Sequence, residues 1–332
     1  MPDAEWLVLG VDAGTGLVEA VCATAGGEVV GQGRSGSANA AALPVERVVE
    51  HLRSAVCQAL AGVPPERVRC LVVGAAGVLR YSRGATVGPL AQVWESVGLG
   101  CPVRVVADAV TAFTAGTPRP RGCVLIAGIG TIAARVQDEQ VRDRVDGNGW
   151  LVGDDGSGFW LGRQAVRAVF AQLDHRGEPT LLTPAVLATL TGDQELPSDP
   201  AEQRELLRDT VYDGPPIALA GLAPLVPAAA EAGDRVAQRI VDRAVDLLVD
   251  SATALAGADG RGADDAEDPL VLAGSLLHPD GPIGSEVRRR LAYHRGAQPL
   301  LAGCCAGAAA WLAARSVEPG LDSAVHARLT QA

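Results

Sequence analysis

Val8-Leu9-Gly10-Val11-Asp12-Ala13-Gly14-Thr15-Gly16 and Val124-Leu125-Ile126-Ala127-Gly128-Ile129-Gly130-Thr131 decide the fold. Each is a short apolar run that breaks into a glycine turn, the pattern of a buried strand ending at a tight reversal. After the first, Leu17–Thr24 is apolar again, Gly26-Gly27 turns, and Glu28–Arg34 follows as a third strand. After the second, Ile132–Gln137 and Val141–Val145 follow in the same way. Successive hairpins make antiparallel strands, not the start of a βαβ unit. The turns are therefore neither a P-loop, which needs a following Gly-Lys-Ser/Thr, nor a Rossmann turn, which opens a helix. Residues 6–35 and 122–146 share one plan, an internal repeat.

The rest of the chain fits around these copies. Val45, Val48, Val49, Leu52, Val56 and Leu60 have helical spacing. Val68–Val73 reads as a strand ending at Gly74, Ala91–Val97 as a helix, and Val103–Val106 as a strand stopped by Asp108. Helical segments are predicted over 159–173 and 225–257, a last strand over Leu270–Ala273 ending at Gly274, and a buried helix in the Ala-rich run 296–314. Gly257–Asp268, rich in Gly and Asp without apolar periodicity, reads as a surface loop.

Composition narrows the function. The 332 residues suggest two domains, with one large domain as the alternative. The balance of 28 Lys+Arg against 39 Asp+Glu gives −11, and with no basic patch such a chain is repelled by nucleic acid and anionic membranes. Aromatics at 3% leave little for base-stacking platforms. The seven cysteines form no CxxC pair, which argues against zinc or an intrachain iron–sulfur cluster and fits a reducing cytoplasm. No signal peptide or membrane span is expected.

Four stretches carry chemistry. In Asp12-Ala13-Gly14-Thr15-Gly16, small residues let backbone N–H groups approach a phosphate, and an Asp at a strand end can hold magnesium through water. A plain hairpin turn is the alternative there and at Gly128-Ile129-Gly130-Thr131; as a pair, the two suggest facing walls of one phosphate cleft. Asp108, between a strand and a helical stretch, reads either as a helix cap or as a general base at a strand's carboxyl end. Asp146 to Arg163 interleaves six glycines with polar side chains and two tryptophans. A loop folded tightly around a polyol needs this, with carboxylates and amides for hydroxyls and Trp faces for a ring; the alternative is a long loop capping a helix through Ser157. Asn39 follows the third strand, where a loop amide is commonly a turn former.

In this order the pieces resemble the N-acetylglucosamine kinase and benzoyl-CoA-reductase-activating ATPase family of the actin–hexokinase–heat-shock-ATPase superfamily. Besides both glycine turns, the resemblance rests on Ser37-Ala38-Asn39, Gly74-Ala75-Ala76-Gly77, Ala107-Asp108-Ala109, Gly153-Asp154-Asp155-Gly156-Ser157-Gly158 with Trp160 and Gly162-Arg163, Ala232-Gly233-Asp234, Leu272-Ala273-Gly274-Ser275 and Gly307-Ala308. It implies an α/β fold of two ribonuclease-H-like lobes with mixed sheets, residues 1–117 and 118–332, with the terminal helix packing on the first lobe. It implies ATP and a sugar in the cleft between them. Asp12, Gly14, Thr15 and Gly16 then form the first phosphate loop, Asp12 serving the magnesium. Gly128 and Thr131 belong to the second, and Gly274 and Ser275 border the adenosine. Asn39, Gly130, Trp150 and Asp154 line the sugar with Asp108, the base. The implied reaction is ATP-dependent phosphorylation of the 6-hydroxyl of N-acetylglucosamine or glucosamine, in a cytoplasmic homodimer. A non-catalytic sugar sensor and an ATPase activator of a reductase are the alternatives. The sequence departs from the family at Gly16 and Leu17, where polar donors to phosphate are usual, at Gly-Ile-Gly-Thr in place of Gly-Thr-Gly-Ser, and at Asn148, where an aromatic is usual. Leu17 is expected to pack inward, and ATP to be held weakly through backbone and magnesium.

Overall fold

The computed structural model describes residues 6–39, 43–77, 87–192, 196–257 and 268–331. The repeat is realised as two five-stranded sheets. In the first, β1 (Leu7–Ala13), β2 (Val18–Thr24) and β3 (Val29–Ser35) form an antiparallel meander. β4 (Val68–Ala75) and β5 (Val103–Ala107) then add in parallel, for the order β3-β2-β1-β4-β5. In the second, β6 (Arg121–Ala127), β7 (Thr131–Gln137) and β8 (Gln140–Asp146) repeat the meander, and β9 (Leu270–Ala273) and β10 (Leu300–Leu301) add in parallel. The strand order β10-β9-β6-β7-β8 mirrors the first.

Continuous apolar runs make the central strands, because both faces of these sheets are covered. In β1, Leu7, Leu9 and Val11 enter one core beneath α1 (Val45–Ala59), while Val8 enters another on the opposite face. That second core is shared by the lobes. It joins Val8, Cys70 and Val72 of the first sheet to Val124, Val136 and Val271 of the second, through α3 (Asp108–Gly116) and α10 (Cys305–Val317). Ala306 and Ala310 let α10 lie directly over Gly10 of β1; a Cβ at Gly10 would fall 2.1 Å from their backbone atoms. Thus α10 returns to the first lobe, and α11 (Ser323–Thr330) follows it, His326 Nε2 lying 2.6 Å from the Thr114 carbonyl oxygen.

The remaining helices are α2 (Val87–Ser96) in the first lobe and α4 (Gly158–Leu173), α5 (Leu182–Thr191), α6 (Pro200–Asp213), α7 (Leu225–Glu231), α8 (Arg235–Gly257) and α9 (Pro282–Arg295) in the second. The helix expected over 225–257 is two, because Gly233 turns at φ 90° and Asp234 Oδ1 accepts the Ala237 N–H to begin α8. In the Ala-rich run, the helix begins only at Cys305, after the short edge strand β10. Residues 258–267 of the expected surface loop lie outside the described residues. Among the described residues no single helix is long and apolar enough to cross a membrane.

Candidate active site

The carboxyl ends of β1, β4, β5, β6 and β9 define the site. Parallel register aligns Asp12 with Gly74 and Ala75 with Ala107, so Asp12 and Asp108 leave the first sheet at one end. Asp108 opens α3, where its Oδ1 accepts the Ala109 N–H at 2.9 Å. The helix cap position itself is Ala107, which has no side-chain acceptor. Burial pushes the Asp108 carboxyl up, and the N–H groups of Ala109 and of Asp108 itself oppose it. Asp12 is pushed up to about 7, first by burial, then by the negative charges of Asp108 and Glu19. Glu19 belongs there because the hairpin register sets it directly opposite Asp12, on one face of the sheet. Its carboxylate is held by Arg34 at 2.8 Å. Cys305, at the start of α10, adjoins the same group; burial, then Asp12, pushes its thiol well up, so it stays protonated.

The first glycine turn closes with the Gly14 N–H donating to Leu17 O at 3.0 Å. The segment after β3 folds over it. Ser37 Oγ donates to Thr15 O at 2.6 Å, and the Ala38 N–H donates to Gly14 O at 3.1 Å, which brings half-buried Asn39 alongside. His51 of α1 fixes that segment through the Ser37 carbonyl at 2.7 Å. The N–H groups of Thr15, Gly16 and Leu17 have no hydrogen-bond partner among the described residues. Leu17 does not pack inward as expected; it is 42% exposed. A four-residue turn between strands leaves its last residue no core to enter.

The second turn is built against α4. The Gly158 and Phe159 N–H groups, which a helix start cannot satisfy internally, donate to Gly128 O at 2.7 Å and Ile129 O at 3.1 Å. Ser157 caps the same end, its Oγ accepting from the Trp160 N–H. Asp154 is nearly buried and accepts the Thr131 N–H on Oδ1 at 3.0 Å. Burial raises its pKa, and Asp146 and Asp155 add to the shift against the Thr131 N–H. A Cβ at Gly130 would sit 2.9 Å from Asp154 Oδ1, so any larger residue there would displace the Asp154 carboxylate. The Ile129 and Gly130 N–H groups have no partner among the described residues. The Thr131 hydroxyl is buried and donates to Ile126 O, so this residue meets the site through its backbone.

The two turns face one another across the lobes: a Cβ placed on Gly16 would lie 3.8 Å from Ile129 Cδ1. Gly274 and Ser275 leave β9 exposed beside the second turn, Gly274 with φ 96° against the Ala127 carbonyl. Trp150 is half-buried with its ring centroid 5.5 Å from that of Phe159, which ties its loop to α4. The structure thus gathers Asp12 with Asp108, Gly14–Gly16 with Gly128–Gly130, and Asp154 with Thr131. The sequence reading missed Glu19, His51, Cys305 and Asp146 as parts of the site. Glu19 was within reach of pattern alone, because the hairpin register follows from the turn length. Among the described residues no three His, Cys, Asp or Glu side chains form a ready metal cage.

A family profile described as the BadF/BadG/BcrA/BcrD ATPase family matches residues 9–284. The chain is 28% identical over 182 residues to the N-acetylmuramic acid/N-acetylglucosamine kinase of Clostridium acetobutylicum, covering 54% of this chain and 58% of that protein. It is 29% identical over 207 residues to the N-acetyl-D-glucosamine kinase of Dictyostelium discoideum, covering 60% of each. The chain therefore spans under two thirds of these relatives. A solved structure from Porphyromonas gingivalis with a provisional N-acetylglucosamine kinase name superposes with a TM-score of 0.68 at 20% identity, over 94% of this chain and 99% of that one. At that identity the superposition establishes the fold, two α/β lobes about a cleft.

Proposed function

The chain belongs to the BadF/BadG/BcrA/BcrD ATPase family, and from that premise we propose that it is an ATP-dependent kinase of an amino sugar, N-acetylglucosamine or glucosamine, acting on the 6-hydroxyl. The observation that carries this reading is the approach of two glycine turns from opposite lobes, each with unpartnered backbone N–H groups, beside Asp12, Asp108 and Asp154. Amides without partners beside uncompensated carboxylates suit a nucleotide with its cation: the amides take phosphate oxygens, and the cation offsets the carboxylates.

Asp12 would hold magnesium, which when bound neutralises charge on the phosphates. The remaining work falls to the chain. Asn39, Asp154 and Trp150 would orient the sugar, and Gly274 and Ser275 would border the adenosine. Asp108 accepts the hydroxyl proton as the oxygen attacks the terminal phosphoryl group. Its raised pKa makes it a stronger base than an ordinary carboxylate, and the N–H groups of Ala109 and of Asp108 itself oppose that rise. In-line placement and charge neutralisation supply most of such a transfer.

A panel of hexoses and hexosamines with ATP and magnesium, read by ADP release, tests the reading. Turnover should be greatest with an amino sugar. Asp108→Asn should lower it by roughly 10²–10⁴-fold, while calorimetry still finds sugar binding, because an amide keeps the size but takes no proton. ADP release that ignores every sugar, or near-normal turnover in Asp108→Asn, would sink it.

A further inference from the structure

Asp146 ends β8 in a left-handed conformation, φ 64°, and its carboxylate is spent on the backbone of the loop that follows. Oδ1 accepts the Asp154 N–H at 2.9 Å and, more weakly, the Asn148 N–H at 3.4 Å. Oδ2 accepts the Asp155 N–H at 2.9 Å. The chain thus leaves Asp146, passes Asn148, Trp150, Leu151 and Val152, and returns to the carboxylate it left. The loop tip faces solvent, Leu151 and Val152 being 73% and 76% exposed. Polar clamping holds it alongside the Trp150–Phe159 ring contact and the Val152 and Gly153 N–H groups, which donate to Gly149 O. Gly153 is the point of closest approach: a Cβ there would lie 2.3 Å from Asp146 Oδ1. Asp154, also left-handed at φ 57°, is held by its N–H to Asp146 and by its Oδ1 to the Thr131 N–H at 3.0 Å.

We propose that Asp146 is a positioning residue that fixes Asp154 for the sugar and, through Asp154 and Thr131, sets the sugar loop in register with the second glycine turn. The proposal rests on the amino-sugar kinase reading for what Asp154 does. Asp146 touches neither substrate; it acts on them through one side chain. A buried Asp in a left-handed backbone has other conformations open to it once its N–H is released. Two hydrogen bonds to a charged acceptor are strong enough to exclude them. The relay also links the two substrates: a displaced Asp154 drops the Thr131 N–H, whose turn carries the amides for phosphate.

The test compares wild type, Asp146→Asn and Asp146→Ala. Asn keeps one acceptor oxygen for Asp154 but sets an N–H₂ against the Asp155 N–H; Ala keeps neither. Sugar KM should rise about tenfold or more in Asp146→Ala, the scale of one lost hydrogen bond to a charged group, with a smaller rise in ATP KM and partial recovery in Asp146→Asn. Hydrogen exchange at the Asp154 and Asp155 amides should accelerate in the same order, without the substrate present. Wild-type sugar KM and kcat in a folded Asp146→Ala protein overturn the proposal, as does a kinetic loss with unchanged exchange at those amides. If Asp146→Ala does not fold, the Asp146→Asn comparison decides alone. A wild type that phosphorylates no hexosamine overturns the kinase reading instead, and exchange alone then judges the clamp.

Discussion

At the scale of single residues, electrostatics and one exposed leucine make definite predictions. Asp12 has a pKa of about 7 in the folded chain against an ordinary 3.8, chiefly through burial. Between those values the folded state binds a proton that the unfolded state has released. This contribution to stability is therefore fully present below the ordinary value and is lost as pH rises toward about 7. Melting temperature without magnesium should fall from pH 5 to pH 8, and Asp12→Asn should flatten that slope; equal slopes would show that Asp12 carries no unusual proton. Leu17 lies exposed at the end of the first turn, and Gly16 before it has no positive φ, so neither position is closed to a larger side chain by backbone strain. Leu17→Lys should lower the ATP KM by about tenfold, the worth of one hydrogen bond to a charged group, with the melting temperature unchanged. A folded variant with an unaltered or raised ATP KM would mean that position 17 points away from the nucleotide. Residue types that form tight glycine turns were readable in the sequence. The direction of Leu17 was not, because it depends on what lies beyond the turn.

At the scale of elements, α4 and the β6–β7 turn stabilise each other. Helix-start N–H groups must find acceptors, and here two of them use the carbonyls of the turn while Ser157 takes a third. Ser157→Ala should cost about 1 kcal/mol and roughly 2–4 °C in melting temperature, and raise ATP KM as the turn loosens. Loss of stability without any change in ATP KM would separate the cap from the turn. The strand–turn–strand plan of both copies was legible because apolar runs and paired glycines are local signals. Asp146 was legible only as part of a dense polar loop. Its clamp joins residues 146 and 154–155, and which acceptor a loop amide finds is fixed by the fold of that loop.

For the whole molecule, the shared core of α3 and α10 joins the lobes on one side, while the two glycine turns face each other across the open side. Across the same interface Arg104 of β5 pairs with Glu139 of the β7–β8 turn. That arrangement permits a hinged approach of the turns without separating the core. We predict a smaller radius of gyration with sugar bound than without it, by X-ray scattering at saturation checked by calorimetry, since closure keeps water from competing for the phosphoryl group. An unchanged radius would assign the exclusion of water to the loops alone.

By itself the sequence determined the two meanders, their glycine turns and the acidic residues at the strand ends, because these are set by neighbours a few residues away. Only the tertiary structure decided that Asp12 shares its field with Asp108 and Cys305, and that Gly16 looks across to Ile129. The same holds for the return of α10 to the first sheet, where Ala306 and Ala310 come back over Gly10. These pairings join segments far apart in the chain. What selects them is the burial of apolar faces on both sides of each sheet, a property of the assembled layers and not of any one stretch.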